Sequence, residues 1–251
     1  MTEPILVVEG ISKQFGGLRA VHEASLNVES GSITAVIGPN GAGKTTLFAM
    51  ITGFLRPTGG RVAYNGGDVT GLPAHRLARQ GIARTFQIVQ PFAGLSVLEN
   101  IAVGSHLHIT GRSAALAAAA DVARLVGLDG MLQQPAATLT VSGRKRLELA
   151  RALATTPKLL LLDEVLAGLN PSEIRDVLPI VRAIRDRGVT ILMIEHVMQA
   201  VMSLADKIYV LVEGRIIAKG SPAEVAGDPK VIEAYLGAGA AARLSGGAYA
   251  G

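Results

Sequence analysis

The sequence predicts an α/β fold with a mixed sheet core, an N-terminal antiparallel β part and an inserted α-helical subdomain. Three observations indicate this fold. Short apolar runs of strand length alternate with helical patterns in both halves of the chain. A glycine-rich motif at 38–45 joins one of these strands to a helix. Between about 88 and 138 the strand patterns give way to helical ones, partly alanine-rich.

The individual elements follow from apolar periodicity and from turn residues. The predicted strands are 5–8, 19–28, 32–37, 61–64, 82–86, 159–162, 190–194, 207–212 and 215–219. The predicted helices are 43–52, 97–105, 113–126, 171–187 and 197–204. Asn170 and Ser221 each precede a proline and, three residues on, a glutamate, which is typical of a capped helix N-terminus.

Composition limits the class of protein. The 251 residues are 49% hydrophobic and 18% charged, include no cysteine, and suit one large domain without disulfides. No apolar run approaches the roughly 20 residues of a membrane span, and the N-terminus has no secretory pattern, so we expect a cytoplasmic chain. The net charge of +4 is interpreted as a solvated surface. The basic cluster 144–146 lacks the interleaved aromatic residues of a nucleic-acid site.

The motif at 38–45 matches G-x-x-x-x-G-K-[ST] at every position. Glycines let backbone N–H groups approach phosphate oxygens, and the following helix adds its dipole. Lys44 is expected to reach the β- and γ-phosphates, and the Thr45 hydroxyl to ligate Mg²⁺. An apolar strand before the motif and an amphipathic helix after it favour the ATP-binding loop of a P-loop NTPase. The expected ATP-binding residues are Gly38, Pro39, Asn40, Gly41, Ala42, Gly43, Lys44, Thr45 and Thr46.

A second candidate site begins where the apolar strand 159–162 ends in Asp163 and Glu164. Buried carboxylates are costly unless a cation lies near them, so we expect Asp163 to support Mg²⁺ and Glu164 to activate the attacking water. His196 and Gln87 also follow predicted strands. Spacing alone leaves His196 undecided between a structural role and a γ-phosphate role. It leaves Gln87 undecided between a surface position and a Mg²⁺ contact.

With these residues in this order, the chain resembles the ATP-binding subunits of ABC transporters from about 5 to 236. Within that superfamily it is most similar to the ATPases of branched-chain amino acid importers. The motifs that carry the resemblance are Phe15-Gly16-Gly17-Leu18, Arg84-Thr85-Phe86-Gln87, Ala167-Gly168-Leu169-Asn170 and Ala234-Tyr235-Leu236-Gly237. The resemblance implies that Phe15 stacks on adenine, with core packing as the alternative. It also implies that Gln87 links the Mg²⁺ site to the membrane partner, that Glu164 is the general base and that His196 is the switch histidine.

The chain departs from this family at the signature, usually Leu-Ser-Gly-Gly-Gln, which here reads Leu139-Thr140-Val141-Ser142-Gly143. Thr140 keeps a hydroxyl and a helix N-terminus still begins there, whereas Val141 replaces a glycine. We expect this segment to contact the γ-phosphate bound by another subunit, with the assignment to single residues open. The expected signature residues are Thr140, Val141, Ser142 and Gly143.

The resemblance implies an ATPase that uses ATP and Mg²⁺ and couples dimer closure to import of branched-chain or related amino acids. The implied partners are a second copy or a paralogous ATPase subunit, transmembrane permease subunits and, indirectly, a solute-binding protein, with no nucleic acid. The chain would then lie peripherally on the inner face of the cell membrane. Docking is expected around 87–98, including Phe92 and Leu95, for which subdomain core is the alternative.

The expected domain organisation is an ATPase domain at 1–237 and a flexible tail at 238–251. Within the domain we expect a RecA-like core at about 1–87 and 155–237 and a helical subdomain at about 88–154.

Three other functions are compatible with parts of the sequence. The first is a cassette ATPase for urea, amide or lipid-type transport. The second is a non-transport cassette acting on DNA or ribosomes, but 88–138 is short and lacks heptads, and one cassette is present where ribosomal relatives usually have two. The third is a small-molecule kinase, which would leave the ordered set Phe15, Gln87, Glu164 and His196 unexplained.

Overall fold

The computed structural model describes residues 3–86 and 90–237, which form two sheets surrounded by helices. A four-stranded antiparallel sheet has the order β2-β1-β4-β5, and a six-stranded mixed sheet has the order β10-β9-β3-β8-β7-β6. This arrangement confirms the predicted fold class. The strands are β1 (Pro4–Phe15), β2 (Leu18–Glu29), β3 (Ile33–Ile37), β4 (Gly59–Tyr64), β5 (Gly67–Asp68), β6 (Ile82–Arg84), β7 (Leu159–Asp163), β8 (Thr190–Ile194), β9 (Lys207–Val212) and β10 (Arg215–Gly220).

Helices flank the mixed sheet, and three consecutive ones fill the stretch between β6 and β7. In chain order they are α1 (Lys44–Ile51), α2 (Ala74–Gln80), α3 (Val97–Ser105), α4 (Arg112–Leu125), α5 (Val141–Leu153), α6 (Pro171–Asp186), α7 (Met198–Leu204), α8 (Pro222–Gly227) and α9 (Pro229–Leu236). Helices α3, α4 and α5 pack on one another, and their apolar faces join the core cluster on one side of the mixed sheet. None of the helices in the described ranges is long and apolar enough to cross a bilayer.

The mixed sheet positions the candidate site because its central strands are parallel. Strands β3, β7 and β8 are buried along their whole length, as expected for mostly apolar strands that are covered on both faces. Their carboxyl ends therefore meet at one edge of the sheet, where ligands bind in open α/β folds. The glycine-rich loop, the acids after β7 and the residues after β8 all leave the sheet at this edge.

Most predicted elements agree with the structure to within one or two residues, and the differences have local causes. Strand β1 runs to Phe15 because the pairing with β2 continues past register shifts between Val8 and Lys13, where Gly10 interrupts the apolar alternation. Helix α2 was not predicted because Leu77 is its one buried residue, so it carries no apolar period. The tail 238–251, expected to be flexible, lies outside the described residues, and the subdomain boundaries stay a prediction.

Candidate functional site

The glycine-rich loop connects β3 to α1 through two positions that admit only glycine. A Cβ atom on Gly38 would lie 2.0 Å from the Leu211 carbonyl oxygen. Gly43 has a φ of +99°, and a Cβ there would lie 2.3 Å from the Ala20 carbonyl oxygen. Helix α1 then begins with no side-chain cap and no acidic residue in its first turn. Its N-terminal N–H groups are therefore oriented to bind an anion.

The loop encloses a cavity of about 280 Å³. Glu164 lies in its wall, although it is more than 100 residues away in the sequence. The sheet edge thus brings the general-base candidate to the phosphate loop. The lining residues are Ala20, Asn40, Gly41, Ala42, Gly43, Lys44, Thr45, Thr46 and Glu164.

Lys44 supplies a buried positive charge at this cavity. Its side chain is 7% exposed, and Nζ donates hydrogen bonds to the carbonyl oxygens of Gly38 at 2.8 Å and Pro39 at 2.9 Å. Burial lowers the pKa of Lys44, while the nearby carboxylates of Glu164 and Asp163 act to raise it. An ammonium group held among loop carbonyls at the start of α1 is suited to bind phosphate oxygens.

Asp163 and Thr45 share a second cavity of about 460 Å³. Asp163 is 2% exposed, and its Oδ2 accepts a hydrogen bond from Nη2 of Arg84 at 2.5 Å. A hydroxyl and a carboxylate fit Mg²⁺, which prefers oxygen ligands and usually keeps several waters beside one or two carboxylates and substrate phosphates. Within residues 3–86 and 90–237, no group of three or more His, Asp or Glu side chains forms a metal cage. The lining residues are Thr45, Arg84, Phe86, Gln90, Glu148, Arg151 and Asp163.

Glu164 has a backbone conformation that is unusual for a glutamate. Its φ is +50°, its N–H donates to the Ile194 carbonyl at 3.0 Å, and its carbonyl accepts from Lys145 Nζ at 3.1 Å. A non-glycine residue in the left-handed region persists only where its surroundings enforce it. The chain turns sharply here, and Glu164 leaves the line of β7 to reach the phosphate cavity.

Glu195 lies behind Glu164 and has a strongly perturbed environment. It is 1% exposed, its Oε1 accepts from the Leu166 N–H at 2.9 Å, and its buried Oε2 has no hydrogen-bond partner among the described residues. Burial raises the pKa of Glu195 to about 7, and the charge of Glu164 adds to this rise. The neighbouring His196 is exposed after β8 and does not line the phosphate cavity within the described part of the chain.

Phe15 is exposed at the tip of the β1–β2 hairpin. Its side chain is 48% exposed, and the Lys13 ammonium lies 5.2 Å from the ring centroid. The alternative of core packing is therefore wrong, and the ring face is accessible for stacking.

The signature segment forms the N-terminus of α5. The Thr140 hydroxyl caps the helix by accepting from the Gly143 N–H at 3.1 Å. Val141 is 55% exposed, and Ser142 is buried. As far as the described residues show, the segment contributes to neither the 280 Å³ nor the 460 Å³ cavity.

The expected docking surface is partly exposed. Phe92 is 45% exposed and lies under the Arg151 guanidinium, 4.8 Å from its ring centroid, while Leu95 is half-buried. An apolar cavity of about 340 Å³ opens near it between β6, α2, α3 and α5. Phe92 is therefore not a buried residue of the subdomain core, which was the alternative expectation. Gln87, expected at Mg²⁺ and at this surface, lies outside the described residues.

Sequence reasoning gave no role to three residues at this site: Arg84, Lys145 and Glu195. Arg84 belongs to the motif 84–87, which indicates only the resemblance to the family. Its partner Asp163 is 79 residues away. Glu195 ends an apolar run much as Asp163 does, and that signal could have marked it.

Comparisons with known proteins agree with this geometry along the chain. A family model described as "ABC transporter" matches residues 21–167, and one described as "Branched-chain amino acid ATP-binding cassette transporter" matches residues 215–241. The chain is 41% identical to the high-affinity branched-chain amino acid transport ATP-binding protein BraF of Pseudomonas aeruginosa, covering 94% of this chain and 99% of that protein. It is 40% identical to the corresponding protein LivG of Escherichia coli K12, with the same coverage.

Solved structures of ATP-binding cassettes also align with nearly the whole chain. An ATP-binding cassette of an ABC transporter solved in its ADP conformation aligns with a TM-score of 0.86 and 35% identity, over 94% of this chain and 100% of that chain. A nucleotide-free cassette aligns with a TM-score of 0.85 and 34% identity, over 93% and 99%.

Proposed function

Since the chain belongs to the ABC transporter family and is an ATPase of that family, we propose that it powers the import of branched-chain or related amino acids. The observation that carries the proposal is the meeting of two segments, the phosphate loop and the acids at the end of β7, at one sheet edge. The phosphate loop and Glu164 line one cavity, and Thr45 and Asp163 line the next. The names of relatives at 40–41% identity support the class of solute.

In this proposal the loop N–H groups and Lys44 bind the triphosphate, and Phe15 stacks on the adenine. Glu164, turned toward the phosphate cavity, accepts a proton from the attacking water. His196, at the end of β8, holds that water or Glu164 in place. Glu195 ties the segment after Glu164 to β8 through the Leu166 N–H.

Thr45 and Asp163 would hold Mg²⁺, with Gln87 as the third expected contact. When bound, the ion would neutralise negative charge on the phosphate oxygens. The backbone at Asp163 is fixed by its N–H, which donates a hydrogen bond to the Thr85 hydroxyl at 3.1 Å.

A second ATPase subunit, identical or paralogous, would complete the site with its own segment equivalent to 140–143. The exposed Val141 and the capped N-terminus of α5 are suited to a contact between subunits. Permease subunits would dock near Phe92 and the 340 Å³ cavity, and a solute-binding protein would act through them. The chain would then lie on the inner face of the membrane, and the helical stretch of about 88–154 would move relative to a core of about 1–87 and 155–237.

Reconstitution tests this proposal directly. The chain and the permease subunits that copurify with it would be placed in proteoliposomes with their solute receptor. We expect ATP-dependent uptake of leucine, isoleucine or valine that is lost with Lys44→Ala. Uptake of urea or short amides instead would keep the transport role and correct the solute, and failure to copurify with any multispan protein would contradict the transport role.

A further inference from the structure

Arg84 separates the metal-site cavity from the apolar cavity near the docking surface. Its side chain lines both the 460 Å³ cavity, which contains Thr45 and Asp163, and the 340 Å³ cavity, which opens between helices. Phe86, Glu148 and Arg151 complete the shared wall. The two cavities are therefore neighbours that share four lining side chains.

The inner side of Arg84 holds the Asp163 carboxylate. The two side chains are 8% and 3% exposed, and their nitrogen and oxygen lie 2.5 Å apart. Loss of one partner from such a buried pair leaves an uncompensated charge, so the remaining side chain is no longer held in this orientation. Among the described residues, Asp163 is the one carboxylate within ion-pair distance of Arg84.

Three aromatic rings lie near the Arg84 guanidinium. Its guanidinium carbon lies 5.9 Å from the centroids of Phe48 and Phe54 and 5.6 Å from that of Phe86. Phe54 and Phe86 contact each other edge to face at 5.3 Å, and they are 56% and 42% exposed. Phe54 and Phe86 also line the apolar cavity, so whatever fills it would press on the rings that hold the guanidinium.

We propose that Arg84 is a positioning residue that orients Asp163 for Mg²⁺, and that an apolar permease side chain filling the 340 Å³ cavity strengthens this orientation through Phe54 and Phe86. The proposal rests on the proposed function for its metal and its partner. The apolar rings and Val103 at the cavity favour an aliphatic or aromatic side chain as the occupant. Docking would then raise the affinity for Mg²⁺ with no direct contact between the permease and the nucleotide.

The first arm of the test uses the isolated full chain and a fluorescent ATP analogue, whose binding is measured as Mg²⁺ is titrated. Arg84→Met keeps an unbranched side chain and removes the charge, and we expect half-maximal binding to need about tenfold more Mg²⁺. Affinity for the analogue in EDTA should stay within about twofold, because the phosphate loop is unchanged. Arg84→Lys should restore part of the Mg²⁺ response, since it keeps the charge but loses the planar fork.

Phe54→Leu and Phe86→Leu alter exposed rings and should each raise the Mg²⁺ requirement about threefold. Met131→Leu is the control, because Met131 is also an exposed apolar side chain but lines neither of the two cavities. Its Mg²⁺ requirement should equal that of the wild type. These exposed variants keep the test decisive if Arg84→Met does not fold.

The second arm compares the isolated chain with the assembled transporter. We expect assembly to lower the Mg²⁺ requirement and Phe54→Leu to abolish that difference. An unchanged or lowered requirement in folded Arg84→Met, or in both phenylalanine variants, would overturn the role of Arg84. Wild-type chain that binds no nucleotide would instead contradict the proposed function, so the two failures are distinguishable.

Discussion

The N-termini of α1 and α5 are two helix starts with opposite construction. At α1 the preceding loop contains two glycines at which a Cβ atom would lie only 2.0 and 2.3 Å from carbonyl oxygens of other segments, and no side chain caps the helix. At α5 the Thr140 hydroxyl caps the helix, and Val141 projects with 55% exposure. The N-terminal N–H groups of α1 are therefore available inside a cavity. At α5 one of these groups is already bonded to the Thr140 hydroxyl, and the helix start faces outward.

The difference indicates which of the two is a complete binding site within one chain. An uncapped helix start beside a buried lysine binds an anion with no help from another subunit. A capped start with an exposed apolar residue contributes to binding only when a second surface covers it. We therefore propose that the α1 side provides nucleotide affinity and the α5 side provides the subunit contact, and variants on each side can test this division.

Lys44→Ala should have the largest effect, because it removes the buried ammonium of the α1 side. We expect the affinity for ATP to fall roughly 30- to 5,000-fold, as for loss of one partner of a buried, hydrogen-bonded charge pair. Calorimetric titration with ATP measures it. Lys230→Ala, at an exposed helix start, is the control and should bind normally. Full affinity in Lys44→Ala would contradict the loop assignment.

Glu195→Gln should change how the free energy of unfolding depends on pH, because Glu195 is buried behind Glu164. The folded-state pKa of about 7 lies above the ordinary value of 4.5, so the folded chain retains a proton that the unfolded chain releases between these values. The wild-type free energy of unfolding therefore falls as pH rises from 4.5 to 7. Glu195→Gln should exceed wild type by about 3 kcal/mol at pH 8 and by little near pH 4.5.

Denaturant unfolding at a series of pH values measures this difference. Thr140→Ala, on the α5 side, serves as the reference, since its difference from wild type should not change with pH. A gap between Glu195→Gln and wild type that is the same at every pH would show that Glu195 is not protonated in the folded chain near neutrality.

Val141→Asp should weaken the subunit contact on the α5 side without changing nucleotide binding on the α1 side. The residue is exposed, so the fold is retained, but a carboxylate would face the triphosphate bound by the other subunit. We expect ATP affinity of the isolated chain to be unchanged and ATP-dependent dimerisation to weaken roughly tenfold or more. Sedimentation analysis measures the dimer, with Val141→Ala as the uncharged control. If the monomeric variant bound ATP more weakly than wild type, the assignment of nucleotide binding to the α1 side alone would be contradicted.

Thr140→Ala should have the smallest effect, a loss of about 1 kcal/mol in the free energy of unfolding from the missing cap. Thr140→Ser keeps the acceptor and should be close to wild type. If Thr140→Ala is as stable as wild type, the cap does not hold the start of α5 in solution.

Local patterns predicted the elements and motifs of the site, and they failed where distant segments combine. The strand β7 and the acids that follow it could be predicted because an apolar run ending in carboxylates is a signal within a few residues. The pairing of Arg84 with Asp163 could not, since 79 residues separate them and only the order of the sheet brings β6 beside β7. The pKa of Glu195 depends on burial by several elements, which no local pattern contains.

The proposed mechanism depends most on Glu164 acting as the general base beside a loop that binds ATP. Glu164→Gln chain incubated with ATP and Mg²⁺, then separated from free nucleotide and denatured, would release the nucleotide that it held for identification. We predict intact ATP from the variant and ADP from the wild type treated in the same way. ADP formed by the variant at the wild-type rate would contradict the central claim.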